Sequence, residues 1–149
     1  MDNDDTISAL NNLIETSRDG EEGFRTSAEH ARDAQLKSLF ANRASSCAQA
    51  VQELQQVVQA QGGKPAESSS ISGTLHRRWV DFKSAITGQD DVAILNEVER
   101  GEDVAVASYK KALAMDLPSD IRNLIERQYQ GVLKNHDRVK QLRNQFRAQ

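Results

Sequence analysis

An all-α bundle of four long helices, with one long crossover between the second and third, is the fold class this sequence predicts. Three observations carry it. Apolar residues recur at spacings of three and four along four long stretches, which is the pattern of helices that bury one face. The 149 residues contain only 2 prolines, and 38% are hydrophobic, enough for a core arranged in such stripes. The breaks between stretches carry the residues that end helices.

The first stripe is Ile7, Leu10, Ile14, Ser17, Glu21, Phe24, Ala28 and Ala31, predicting a helix over about 5–32 with Asp5 or Thr6 as its N-cap. The second, Leu36, Phe40, Arg43, Cys47, Val51, Leu54 and Val58, predicts 34–61, ended by Gly62-Gly63 and Pro65. Within the crossover, 62–90, residues 64–72 read as a flexible loop. Leu75, Trp79, Phe82 and Ile86 then predict a short extra helix, with Trp79 as its anchor. Val92, Leu95, Val98, Glu102, Ala105, Tyr109 and Ala112 predict a helix over 91–116, stopped before Pro118. Ser119 or Asp120 caps the last, over 119–147, whose stripe runs Ile121, Ile125, Gln128 or Tyr129, Val132, His136, Val139, Leu142, Phe146. Neither half looks independent, so one bundle domain over 1–149 is expected.

Short connections make hairpins of helices one and two and of helices three and four. The connection between the hairpins is long enough to traverse a helix of about 40 Å, and bundles with one such crossover have ferritin-like topology.

Composition narrows the function. With 19 Lys+Arg against 22 Asp+Glu the net charge is -3, which argues against a dedicated nucleic-acid surface. No apolar run is long enough to span a bilayer, and the acidic opening leads into no signal-type stretch, so a cytoplasmic protein is expected. The single cysteine excludes an internal disulfide and a Cys-rich zinc site. Walker-type, His-Glu-x-x-His, Gly-x-Ser-x-Gly and Cys-x-x-Cys-His motifs are absent from the sequence.

The stripes contain polar residues where a plain bundle is apolar: Glu21, Arg43, Glu102 and His136, with Ser17 and Gln128 nearby. With helices one and four running up and two and three down, Glu21, Glu102 and His136 fall near mid-height, at the level of Ser45 to Cys47. One polar layer is predicted. Gly20, Gly23, Gly101 and Gly131 also lie mid-helix near it, although glycine there costs about 1 kcal/mol relative to alanine. Close helix approach, a π-bulge or room for a ligand would each explain them.

Asn11-Asn12-Leu13-Ile14-Glu15-Thr16, Asp19-Gly20-Glu21-Glu22-Gly23-Phe24, Leu75-His76-Arg77-Arg78-Trp79 and Glu99-Arg100-Gly101-Glu102-Asp103 resemble an uncharacterised bacterial four-helix-bundle family of unknown function, placed near the ferritin-like superfamily. The resemblance runs from about Asp5 to about Phe146. It implies a ferritin-like fold, no established activity, and self-association, as such bundles commonly assemble.

In ferritin-like di-iron proteins, two helices each supply a glutamate and two supply Glu-x-x-His. Glu21 and Glu102 fit the single glutamates and His136 the histidine of the fourth helix, so these three are the candidate metal ligands, for iron or manganese. Glu22, Asp103 or a second subunit could complete them. Leu133 stands where the fourth helix should carry glutamate, and the second helix has no Glu-x-x-His. Two readings therefore stand side by side. One is a structural, interaction or stress-associated bundle with at most a degenerate metal site, in which Arg43 neutralises the carboxylates. The other is a carboxylate-bridged metal-binding or oxidase protein.

Cys47 reads as a small core residue, and Tyr109 and Tyr129 as core-edge residues with their hydroxyls reaching out. His30, His76 and Arg77-Arg78 read as surface. A phosphotransfer histidine is disfavoured, because His136 falls on the apolar stripe and Lys140 follows it by four residues instead of three.

Overall fold

A computed structural model describes residues 2–66 and 81–148. Four long helices dominate it: α1 (Asn3–His30), α2 (Ala34–Ala60), α3 (Asp91–Leu113) and α4 (Ser119–Arg147). Residues 81–86 form a further helical stretch, while Leu75, His76, Arg77, Arg78 and Trp79 lie outside the described residues.

Each helix starts where an acceptor can satisfy its free N–H groups. Asp2, not Asp5 or Thr6, caps α1, accepting from the Asp4 amide at 2.7 Å, because the helix begins earlier than the apolar stripe that suggested it. Asp33 caps α2 through the amides of Gln35 and Leu36, and Asp90 caps α3 through Ala93. Pro118 occupies the α4 cap position without a side-chain bond, so Ser119 and Asp120 are helical residues and not the cap. At the end of α2, Gly62 takes φ +82°, its amide bonds Gln59 O, and the Gly63 amide bonds Val58 O at 2.9 Å. This paired closure needs a left-handed residue, and glycine supplies it without a Cβ clash.

The helix pairings fix the topology. Asn3 Nδ2 donates to Gln61 O at 2.9 Å, so α2 ends beside the start of α1. At the opposite end of α1, the Asp91 carboxylate accepts the amides of Arg32 (2.8 Å) and Asp33 (3.0 Å), tying the turn between α1 and α2 to the start of α3. The end of α2 and the start of α3 therefore lie at opposite ends of the bundle, and the two helices run parallel. α4 returns antiparallel to α3, with Gln128 beside Tyr109 and Arg143 beside Glu99. Asp91→Ala is expected to cost about 1–2 kcal/mol, because it removes two charge-assisted acceptors at this junction. A lower urea midpoint at unchanged m-value is the result to look for.

The core is divided in two. One apolar cluster, including Leu10, Ile14, Leu54, Val58, Ile121 and Ile125, fills the end where α1 begins. The other, including Phe40, Leu36, Ile86, Ile94, Leu95 and Val139, fills the opposite end. Both contain side chains with no exposed surface. Among the described residues, no helix is long and apolar enough to cross a membrane.

Candidate functional site

Between the two clusters lies the polar layer. Tyr109, 2% exposed, donates from its hydroxyl to Gln128 Oε1 at 2.8 Å, and its oxygen lies 3.5 Å from Ser17 Oγ. Gln128 Nε2 in turn donates to Glu53 Oε1 at 3.1 Å, and Glu53 Oε2 accepts from Arg127 at 2.7 Å. This chain links all of α1, α2, α3 and α4 across the bundle. Tyr109 is thus a buried member of the layer, not a core-edge residue with its hydroxyl in solvent, and burial pushes its phenol up to about 12.

Two turns along α3, Glu102 is 5% exposed. Asn135 Nδ2 donates to its Oε2 at 2.5 Å, and its Oε1 has no hydrogen-bond partner. Burial raises the carboxyl from its ordinary 4.5 to about 7; the Asn135 bond and the charges of Arg43 and His136 oppose that rise, and Asp103 adds to it. Burial thus favours the neutral form of Glu102 well above the pH at which an exposed glutamate ionises.

The structure does not gather Glu21, Glu102 and His136. Glu21 is turned to Arg25 on its own helix, at 2.5 Å. His136 Nε2 bonds Asp103 Oδ1 at 2.7 Å on the outer side of the α3–α4 pair. Among the described residues, no three His, Cys, Asp or Glu side chains come together in a way that could hold a metal ion. Nor does Arg43 bridge the glutamates: its guanidinium lies 5.7 Å from the centroid of Phe24, a cation–π arrangement, and its Nε is buried without a hydrogen-bond partner. Sequence reasoning missed Asn135 and Glu53, which the layer uses in place of His136 and Glu21.

A cavity of about 1240 Å³ opens into this layer, lined by residues of all four helices and by Asp81, Phe82 and Ala85 of the connecting stretch. Gly20, Gly23, Gly101 and Gly131 all line it. The helices are regular α through each of them, so no π-bulge explains the glycines. A Cβ on Gly20 would lie 3.1 Å from Cys47 Sγ, which marks a close approach of α1 and α2, whereas one on Gly101 or Gly131 would meet nothing within 4 Å. These last two leave room. Gly131→Ala is expected to stabilise the chain by roughly 0.5–1 kcal/mol through helix propensity alone, visible as a raised urea midpoint. Cys47 sits in this wall with its thiol pushed up to about 11, chiefly by burial, so it remains a protonated thiol and not a nucleophile.

Three comparisons place this geometry among known proteins. A family profile described as a domain of unknown function (DUF2383) matches residues 5–115. No curated protein matches the sequence. Among solved structures, the dodecameric thioferritin of Bacteroides fragilis, a bacterioferritin-related protein, aligns with a TM-score of 0.82 at 13% identity, covering 99% of this chain and 89% of that one. A two-domain protein of Anabaena variabilis ATCC 29413, containing DJ-1/ThiJ/PfpI-like and ferritin-like domains, aligns with a TM-score of 0.79 at 19% identity. That alignment covers 97% of this chain and 40% of the longer one. At these identities the likeness is one of fold, and the fold is the ferritin-like four-helix bundle expected from the sequence.

Proposed function

For this chain, which belongs to the DUF2383 family, we propose a non-enzymatic role as a ferritin-like bundle that binds through its mid-height layer and associates with its own copies. The observation that carries this reading is the cavity at the layer, which Glu102, the buried glutamate of α3, helps to line. A ferritin-like dimetal centre needs four carboxylates and two histidines converging there. The residues present do not fit that group: Glu21 is held by Arg25, His136 by Asp103, and Glu53 by Arg127 and Gln128. A degenerate site is the most that the layer supports.

The second reading, metal binding by Glu21, Glu102 and His136 with iron or manganese, draws support from the free Oε1 of Glu102. It requires Glu21 and His136 to leave their present partners. Protein purified without chelator or affinity metal, then loaded anaerobically with Fe(II), exposed to oxygen and desalted, decides between them. Background iron and manganese in parent and Glu102→Ala alike is expected. Near-stoichiometric metal that is lost in Glu21→Ala and Glu102→Ala would establish the second reading.

Self-association is part of the proposal, supported by the dodecameric assembly of the Bacteroides fragilis neighbour and by exposed Val104 on α3. Light scattering should give a mass above the 16.6 kDa of one chain. A cytoplasmic location belongs to the same proposal.

A further inference from the structure

We propose that the outward face of α2 is the surface on which two copies of this chain pair, antiparallel about a twofold axis that passes between Ser45 and Gln49. The pairing rests on the self-association proposed above and adds to it the face and its symmetry.

The chain as a whole is 28% charged, yet of the 27 residues of α2 only Lys37, Arg43 and Glu53 carry charge. All three are engaged within the chain. Lys37 Nζ donates to Ala28 O at 3.1 Å and Glu29 O at 3.4 Å, the Arg43 guanidinium lies over the Phe24 ring, and Glu53 accepts from Arg127 and Gln128. The exposed side of the helix is left with Ser38, Ala41, Ser45, Gln49, Gln52 and Gln56, an uncharged strip about 27 Å long. Surfaces that stay in water carry charge on about a quarter to a third of their residues, whereas charge is scarce at the centre of protein interfaces.

The occupant follows from the charge. A twofold contact sets one patch against its own twin, so a strongly charged patch repels itself. α1 carries seven Asp and Glu against two Arg. α3 carries five acidic residues against three Lys and Arg, and α4 seven Lys and Arg against three acidic residues. Of the four helices, α2 alone can lie against its own copy without gathering like charges. The direction follows from side-chain size. Ser38, Ala41 and Ser45 occupy the first half of the strip and Gln49, Gln52 and Gln56 the second. An antiparallel pair lays short side chains against long ones, with Ser45 opposite Gln49, Ala41 opposite Gln52 and Ser38 opposite Gln56, and the glutamine amides can both donate to and accept from the serine hydroxyls. A parallel pair would set long on long and leave gaps between the short ones.

Sedimentation equilibrium of the full chain over about 10 μM to 1 mM gives the dissociation constant. Ser45→Glu, which sets two carboxylates beside the axis, is expected to raise it at least about tenfold, equivalent to about 1.4 kcal/mol. Gln141→Glu, the same added charge on the exposed side of α4, should leave it at the parent value. Adding Gln49→Lys to Ser45→Glu should restore pairing, because the two positions meet across the axis. Disulfide capture reads the direction: an oxidised mixture of Ser38→Cys and Gln56→Cys chains should give a covalent dimer, and either chain alone no more than the parent with its Cys47. Self-capture of Ser38→Cys equal to capture in the mixture would overturn the antiparallel arrangement. An unchanged dissociation constant in Ser45→Glu would overturn the α2 face and leave self-association standing. A parent that stays at 16.6 kDa up to about 1 mM would overturn self-association itself, and leave the strip to a different partner.

Discussion

Glu102→Gln is expected to be more stable than the parent chain at pH 8 by roughly 3 kcal/mol, with the advantage disappearing toward pH 5. The folded carboxyl is raised to about 7, above its ordinary 4.5, because burial disfavours the anion. The native state therefore binds more protons than the unfolded state between those two values. Its stability contribution is present below the lower value and is lost as pH rises through the upper one. A shift of this size, at about 1.4 kcal/mol per pH unit, sets the magnitude. Glutamine cannot ionise, and its carbonyl oxygen can still accept from Asn135, so the variant should show the pH-independent part of the parent's stability. Urea unfolding at pH 5 and pH 8 measures both arms. A Glu102→Gln chain less stable than the parent at pH 8 would mean that the anion has a cationic partner in the native state.

Phe40→Ala is expected to cost about 3–5 kcal/mol, the range for emptying a fully buried aromatic position. Phe40 has no exposed surface and packs on Phe24 at 6.2 Å between centroids, and Phe24 in turn carries Arg43. The substitution thus removes core from one apolar cluster and loosens the wall of the cavity. Phe146→Ala at the partly buried edge of the same cluster should cost less. Equal, small losses at both positions would show that this half of the core is not tightly packed.

The helices and their topology were legible because long amphipathic periodicity and connection length are strong, redundant signals. The polar layer was legible too, as a level in the bundle. Which side chains enter it was not, and the reason is a rotation of one residue. On α4 the seam runs Ile121, Ile125, Gln128, Val132, Asn135, Val139 and Leu142, alternating four and three, so Asn135 takes the inward position and His136 turns to Asp103. On α1 the inward position at this level belongs to Gly20, which meets Cys47, and Glu21 turns to Arg25. Stripe spacing tolerates either neighbour, and the chemically richer residue drew the assignment. Glu102 alone among the three lies on the seam in both readings. Glu53 gave no signal, because an acidic residue beside Leu54 reads as solvated until Gln128 is placed across from it.

A carbon-detected NMR titration of the Glu102 side-chain carboxyl in the metal-free chain tests the central claim most directly. The claim is that burial, and not a neighbouring positive charge, dominates the Glu102 carboxyl. A midpoint near 7 is the predicted result. A midpoint at or below the ordinary 4.5 would contradict it, since only a close positive charge, whether Arg43 or an ion, could hold a buried Glu102 ionised that far into acid.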